Sequence, residues 1–138
     1  MSIVQTQTTS FKKELYQAVH NLATDTIKIA LYTGNADLNE DTTVYSATNE
    51  VSGTGYTAGG ETMTGVAISS SGYVAYANWA NVSWTAALTA RCALIYNVTQ
   101  GNKSIAVLDF GSDKTSTTTF TITMPANTST TALIRSSN

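Results

Sequence analysis

The sequence predicts an all-β protein, an antiparallel β-sandwich of jelly-roll-like form with one short N-terminal helix. Three observations carry this. Thr and Ser supply more than a quarter of the residues, and Thr is β-branched, so it suits a pleated strand while keeping an exposed face polar. Beyond residue 60, short apolar stretches recur at the spacing of a sandwich or barrel, separated by Gly, Ser, Asn and Asp. No βαβ alternation follows the single helical pattern, and the one proline, Pro125, stands at a strand end where its missing N–H does least harm.

Taken in order, residues 1–9 (MSIVQTQTT) are polar, lack a helical period and read as a flexible arm, loosely held unless something outside the domain binds it. Residues 10–138 read as a single β-sandwich domain. Ser10 can cap a helix, and Phe11, Leu15, Ala18, Val19 and Leu22 share one face, so the spacing predicts a helix from Phe11 to about Ala23. His20 falls on the opposite side of that wheel, near Lys13 and Gln17, and is expected in solvent. Ile27 to Thr33 alternates Ile27, Ile29 and Leu31 with Lys28, Ala30 and Tyr32, the period of a strand with one buried face. Residues 34–60 are rich in Asn, Asp, Thr and Gly and read as a long functional loop or short edge strands. Further strands are expected at 64–69, 73–79, 82–84, 89–97, 104–110, 120–124 and 132–135, about eight in all. The turns between them carry Ser71-Gly72, Gln100-Gly101-Asn102 and Gly111-Ser112-Asp113, with the hairpin at Gly101 the clearest.

Charge bounds the partners. With 138 residues the chain fits one domain, and charged residues make up only 12% of it, for a net charge of −2, about half of the roughly 25% usual in soluble proteins. Seven Lys and Arg, thinly spread, build no basic patch for phosphates or an anionic bilayer, so neither nucleic acid nor membrane is an expected partner. Cys92 is alone and cannot form an internal disulfide. The polar start lacks the apolar core of a signal peptide, so folding in a reducing cytoplasm without export is expected.

Motifs that could carry chemistry fail on their context. Gly53-Thr54-Gly55-Tyr56-Thr57-Ala58 spells a dinucleotide fingerprint but has neither the preceding strand nor the following helix that would receive a pyrophosphate. Residues 55–62 have phosphate-loop spacing with Glu61 where a lysine must stand. Asp37 to Asp41 begins like a calcium loop, but Thr42 replaces its turn glycine and Thr48 its bidentate glutamate. A lone exposed His20 supplies neither a catalytic triad nor a zinc site. Nothing in the sequence brings together two of Glu50, Glu61, Asp109 and Asp113 as glycoside cleavage requires, and Asp109, between Leu108 and Phe110, should point out of its sheet. No catalytic residue, cofactor or metal is therefore expected. Trp79 and Trp84 read as core, and Cys92, on one strand face with Leu94 and Tyr96, as a buried inert thiol. The candidate protein-contact residues are Ile3 and Val4 in the arm, Tyr32 on the second face of its strand, and Tyr45 and Tyr56 in the long loop.

The phrases KIALYT (28–33), YSATNEVSGTGYTAGG (45–60), TARCALIYN (89–97), AVLDFGSDK (106–114) and TMPAN with ALIR (123–135) resemble a family of small virion proteins of tailed bacteriophages, the capsid decoration or cement proteins. They run in order through most of the chain from Phe11 onward. The resemblance implies a jelly-roll-type subunit, carried as small oligomers on the outside of a capsid, without cofactor or catalytic residues. Cys92 stands where the TAR-ALIYN phrase of that family is expected to hold Gly.

The expected function is thus structural: a non-enzymatic virion protein, assembled in the host cytoplasm, that binds the major capsid protein on the capsid exterior and reinforces contacts between its subunits. Self-association as a homo-oligomer is expected too, a dimer slightly favoured over a trimer, because it covers strand edges. The alternative is a tail or fibre component that binds a host surface glycan. An enzyme, such as a virion-associated glycosidase, lacks a recognisable constellation.

Overall fold

The computed structural model describes residues 2–137; Met1 and Asn138, which the expected arm (1–9) and domain (10–138) include, lie outside them. Ten strands and one helix follow in the order β1 (Thr6–Gln7), α1 (Thr9–Tyr16), β2 (Ile27–Tyr32), β3 (Glu61–Thr62), β4 (Ala67–Ser71), β5 (Val74–Asn78), β6 (Val82–Trp84), β7 (Thr89–Asn97), β8 (Lys103–Thr115), β9 (Phe120–Ile122) and β10 (Ile134–Ser136). A five-stranded sheet, β1-β8-β7-β2-β3, packs against a second layer made of a three-stranded sheet, β10-β5-β4, and the pair β6-β9. Every ladder between strands is antiparallel. Sequence-distant partners close the sheets, Thr6 against Val107, Val82 against Ile122 and Ile134 against Ala77, so the architecture is the predicted antiparallel sandwich.

The core between the layers explains the alternation in the strands. Ile27, Ile29 and Leu31 of β2 meet Ile95, Ile105, Val82, Trp84, Phe120, Ile122 and Ile134, and both tryptophans are core residues as expected. The other face of β2 departs from the reading. Ala30 and Tyr32 are buried as well, in a second cluster with Cys92, Leu94, Tyr96 and Val107. The cover comes from the chain itself: Ala36 and Leu38 join that cluster, and Ile3 and Tyr45 pack on it. A two-residue period reports which side chains share a face, but not whether a loop later covers that face.

The long segment 34–60 therefore covers part of the sheet through Ala36, Leu38 and Tyr45, while most of its residues stay exposed. It forms no strand of its own, only isolated bridges of Leu38 to Ile3, Val44 to Lys103 and Glu50 to Tyr32. The expected flexible arm is likewise stitched in. Val4 N–H donates to Leu38 at 3.0 Å, β1 pairs with β8, and Thr8 N–H donates to Ile105 at 3.0 Å.

The helix differs at both ends. Its cap is Thr8, not Ser10, because pairing with β8 holds Thr8 extended (φ −72°, ψ 150°), where its hydroxyl accepts from Phe11 N–H at 3.3 Å. It stops at Tyr16, since Ala18 turns left-handed at φ 57°, with Val19 N–H bonded to Glu14 and Ala18 N–H to Leu15, which is a Schellman closure. Phe11 is fully buried, while Leu15 and Leu22 are half-buried against the same core. The hairpin at Gly101 joins β7 to β8 as read, whereas Gly111 to Asp113 lie within β8 as an irregularity opposite Arg91 rather than as a break between strands.

Candidate functional site

Glu50 organises the covered face of the main sheet. Its carboxylate accepts from the Tyr45 hydroxyl at 2.6 Å, from the Tyr56 hydroxyl and from Gly59 N–H at 2.8 Å. The Tyr56 oxygen in turn accepts from Leu31 N–H at 2.9 Å. Tyr96 donates to the Gly59 carbonyl at 2.6 Å and stacks on Tyr45 with centroids 4.7 Å apart, and Tyr32 donates to the Ser46 carbonyl at 2.7 Å. Burial pushes the Tyr96 phenol up to about 12, and it raises Tyr32, Tyr45 and Tyr56 too, with the Glu50 charge adding in the same direction. The four phenols are held as neutral donors, so the cluster fastens residues 45–60 to β2 and β7.

The glycines of this segment serve close approach rather than phosphate binding. Gly60 adopts φ +81°, and a Cβ there would lie 1.8 Å from the Ile29 carbonyl oxygen. At Gly55 (φ +92°) it would lie 2.3 Å from the Thr85 carbonyl oxygen. Only glycine lets the loop lie this tightly on β2 and on the β6–β7 connection.

His20 is buried rather than exposed, because the early end of the helix turns it inward over Phe11. Its Nε2 meets Glu14 Oε1 at 2.8 Å, and its Nδ1 meets the Asn97 amide at 3.0 Å. That amide also donates to Asp25 at 2.8 Å while the Asn97 oxygen accepts from Gln100 N–H. Asn97 thus presents N–H to the ring, so Nδ1 accepts and Nε2–H donates. Both nitrogens are committed. Burial pushes the Asp25 carboxyl up, but hydrogen bonds from Asn21 N–H, Asn97 and Gln100 outweigh it and hold the group below its ordinary value.

The structure does not gather the five contact candidates into one surface. Tyr32 is 1% exposed and Tyr56 9%, so these two are corrected from contact residues to interior ones, Tyr32 under the loop cover and Tyr56 in the core between the layers beside Trp84. Tyr45 and Ile3 are half-buried on that same cover, and Val4 remains exposed. Cys92 is buried, and burial pushes its thiol up to about 11, which suits an inert role. Among the acidic residues, Glu50 is spent on tyrosines, Asp109 pairs with Arg91 at 3.1 Å, and Glu61 and Asp113 are exposed. Among the described residues no group of three His, Cys, Asp or Glu converges on a point, and no helix is long and apolar enough to cross a membrane.

Two surface features were not read from the sequence. The β4–β5 hairpin projects Ile68, 54% exposed, and Tyr73, 85% exposed, at the end of a strand whose five residues all face solvent. Its signal was present: residues 62–90 hold no charged residue at all. The second is an open groove of about 780 Å³, lined by Leu108 and Phe110 of β8, Phe120 and Ile122 of β9, Met124 and Leu133. No family model, curated protein or solved structure matches this chain.

Proposed function

We propose that the chain is a non-catalytic structural protein of a tailed-phage virion that sits on the capsid exterior, braces neighbouring major capsid subunits and associates with itself. The observation that carries this reading is the charge-free stretch 62–90 with its exposed hairpin. A surface of hydroxyls, Ile68 and Tyr73 suits a protein contact and offers nothing to phosphate or an anionic bilayer. The doubly covered main sheet supports the same reading, because a subunit with a core on both faces of its sheet can transmit load without opening. Many copies per shell would let weak contacts add through multivalency.

Counting copies in purified particles and locating them by electron microscopy tests the proposal. Hundreds of copies on the outer shell are expected. Absence from particles, or a few copies at the tail, would overturn it.

The groove favours a second reading, a tail or fibre domain that binds a host glycan. Phe110 and Phe120 lie 6.2 Å apart beside Thr115, Thr119, Thr121 and Gln5, a mixture of aromatic faces and small polar groups suited to a sugar. Glycan-array binding that disappears in Phe110→Ala, together with a low copy number, would favour it.

A further inference from the structure

We infer that β4 is the dimer interface of this protein, pairing antiparallel with β4 of a second copy across a two-fold axis. The inference deepens the self-association in the reading above and does not depend on where in a virion the protein sits.

The backbone leaves this edge open. Ser71 faces Val74 across a two-residue turn whose first central residue, Gly72, has φ +58°, the type II′ pattern. In such a hairpin Ser71 and Val74 form a hydrogen-bonded pair, so Ser69 and Ala67 also bond to β5, while Ile68 and Ser70 turn their N–H and C=O outward. On its other side β5 is taken by β10, with Ile134, Arg135 and Ser136 opposite Ala77, Tyr76 and Ala75. Among the described residues no neighbour lies beyond β4 in its sheet.

Proteins that remain monomeric blunt such an edge with lysine, proline, a bulge or extreme shortness. β4 has none of these. It reads Ala67-Ile68-Ser69-Ser70-Ser71, with a regular register to β5 over all five residues.

Charge selects a second copy as the occupant. Two copies meeting elsewhere edge to edge would bring Glu61 near Glu61 on β3 or Arg135 near Arg135 on β10, the free end of β8 is broken by its irregularity at Gly111 to Asp113, and the uncharged edges at β1, β6 and β9 span only two or three residues. At β4 no like charges meet. The register that overlaps the whole strand sets Ser69 against itself on the axis and Ile68 of one copy against Ser70 of the other. It places both hydrogen-bonding positions of each strand opposite their counterparts and joins two three-stranded sheets into one continuous sheet. Ile68 lies in a row with Ala77 and Ile134, which are core residues. Pairing therefore carries the apolar face across the seam and covers the exposed isoleucine.

Sedimentation velocity of the full chain across the micromolar range, with residue-resolved hydrogen exchange, tests this. A concentration-dependent dimer is expected, in which the Ile68 and Ser70 amides gain protection on dimerisation while Ser69 and Ser71 are protected in both states. Ser70→Pro removes an outward donor that β5 does not use, at a position where an edge strand tolerates proline, and Ile68→Lys places like charges on both sides of the seam. Each should weaken the dimer by at least about tenfold with far-UV circular dichroism unchanged. A strict monomer, or a dimer whose affinity both variants leave intact, would overturn the interface. A β4 dimer that is absent from purified particles would defeat the virion reading alone.

Discussion

Changing Glu50 tests whether the tyrosine cluster holds the long loop. In Glu50→Ala the Tyr56 hydroxyl, the Tyr45 hydroxyl and the Gly59 N–H lose their common acceptor. A hydrogen bond to a charged group contributes about 1.5–3 kcal/mol, and a buried donor left unpaired costs about 1–3 kcal/mol. Tyr56 is buried and pays this fully, whereas Tyr45 is half-exposed and can turn to water. The expected loss is therefore about 3–5 kcal/mol, a large part of the roughly 5–15 kcal/mol that holds a domain together. Glu50→Gln keeps one oxygen for Tyr56 and Gly59, and its amide can donate to a rotated Tyr45 hydroxyl, so a loss of only about 1 kcal/mol is expected. Urea unfolding followed by the fluorescence of Trp84, which lies 6.1 Å from Tyr56, measures both. Hydrogen exchange should speed up first at Gly59 and Leu31. A loss below about 1 kcal/mol in Glu50→Ala, against the 1–3 kcal/mol expected of a single unpaired donor, would show that the loop is held by packing and not by the carboxylate.

The same structure fixes further outcomes. Ala18→Gly should stabilise the protein by about 0.5–1 kcal/mol, because the left-handed conformation at φ 57° costs alanine more than the extra chain entropy costs glycine; a lower melting temperature would contradict the Schellman assignment. Phe11→Ala should lose about 3–5 kcal/mol and the half-buried Leu15→Ala only about 1–2 kcal/mol, and equal losses in chemical denaturation would mean that the helix docks differently. Because burial raises Tyr32, Tyr45, Tyr56 and Tyr96 above the ordinary tyrosine value, their contribution to stability is complete below about pH 10 and is lost as pH rises beyond it. Absorbance at the tyrosinate band should then show these four ionising together with alkaline unfolding, and a gradual titration of all four with the fold intact would refute their burial.

The fold class and most of the strands were legible in the amino-acid sequence. Val82–Trp84 and Thr89–Asn97 coincide with their readings, and Ile27–Tyr32 differs by one residue, because hydrophobic alternation and turn chemistry are local properties that the chain writes directly. The core role of the tryptophans and the buried Cys92 were legible for the same reason. Which faces would be covered, and by what, depended on contacts between distant segments. Tyr32 read as a contact residue because one strand cannot know that a loop distant in sequence will fold over it, and Tyr56 because nothing local tells that a loop residue enters the core between the layers; the cover rests on Glu50 reaching Tyr45, Tyr56 and Gly59 together. His20 read as exposed because the helical wheel was continued past Tyr16, while the turn at Ala18 and the amide of Asn97 drew the ring inside. The open edge of β4 is tertiary in the same sense: the missing charges were visible in residues 62–90, but that they lie on an unpartnered strand depends on β5 having β10 as its other neighbour, a pairing between segments far apart in the chain.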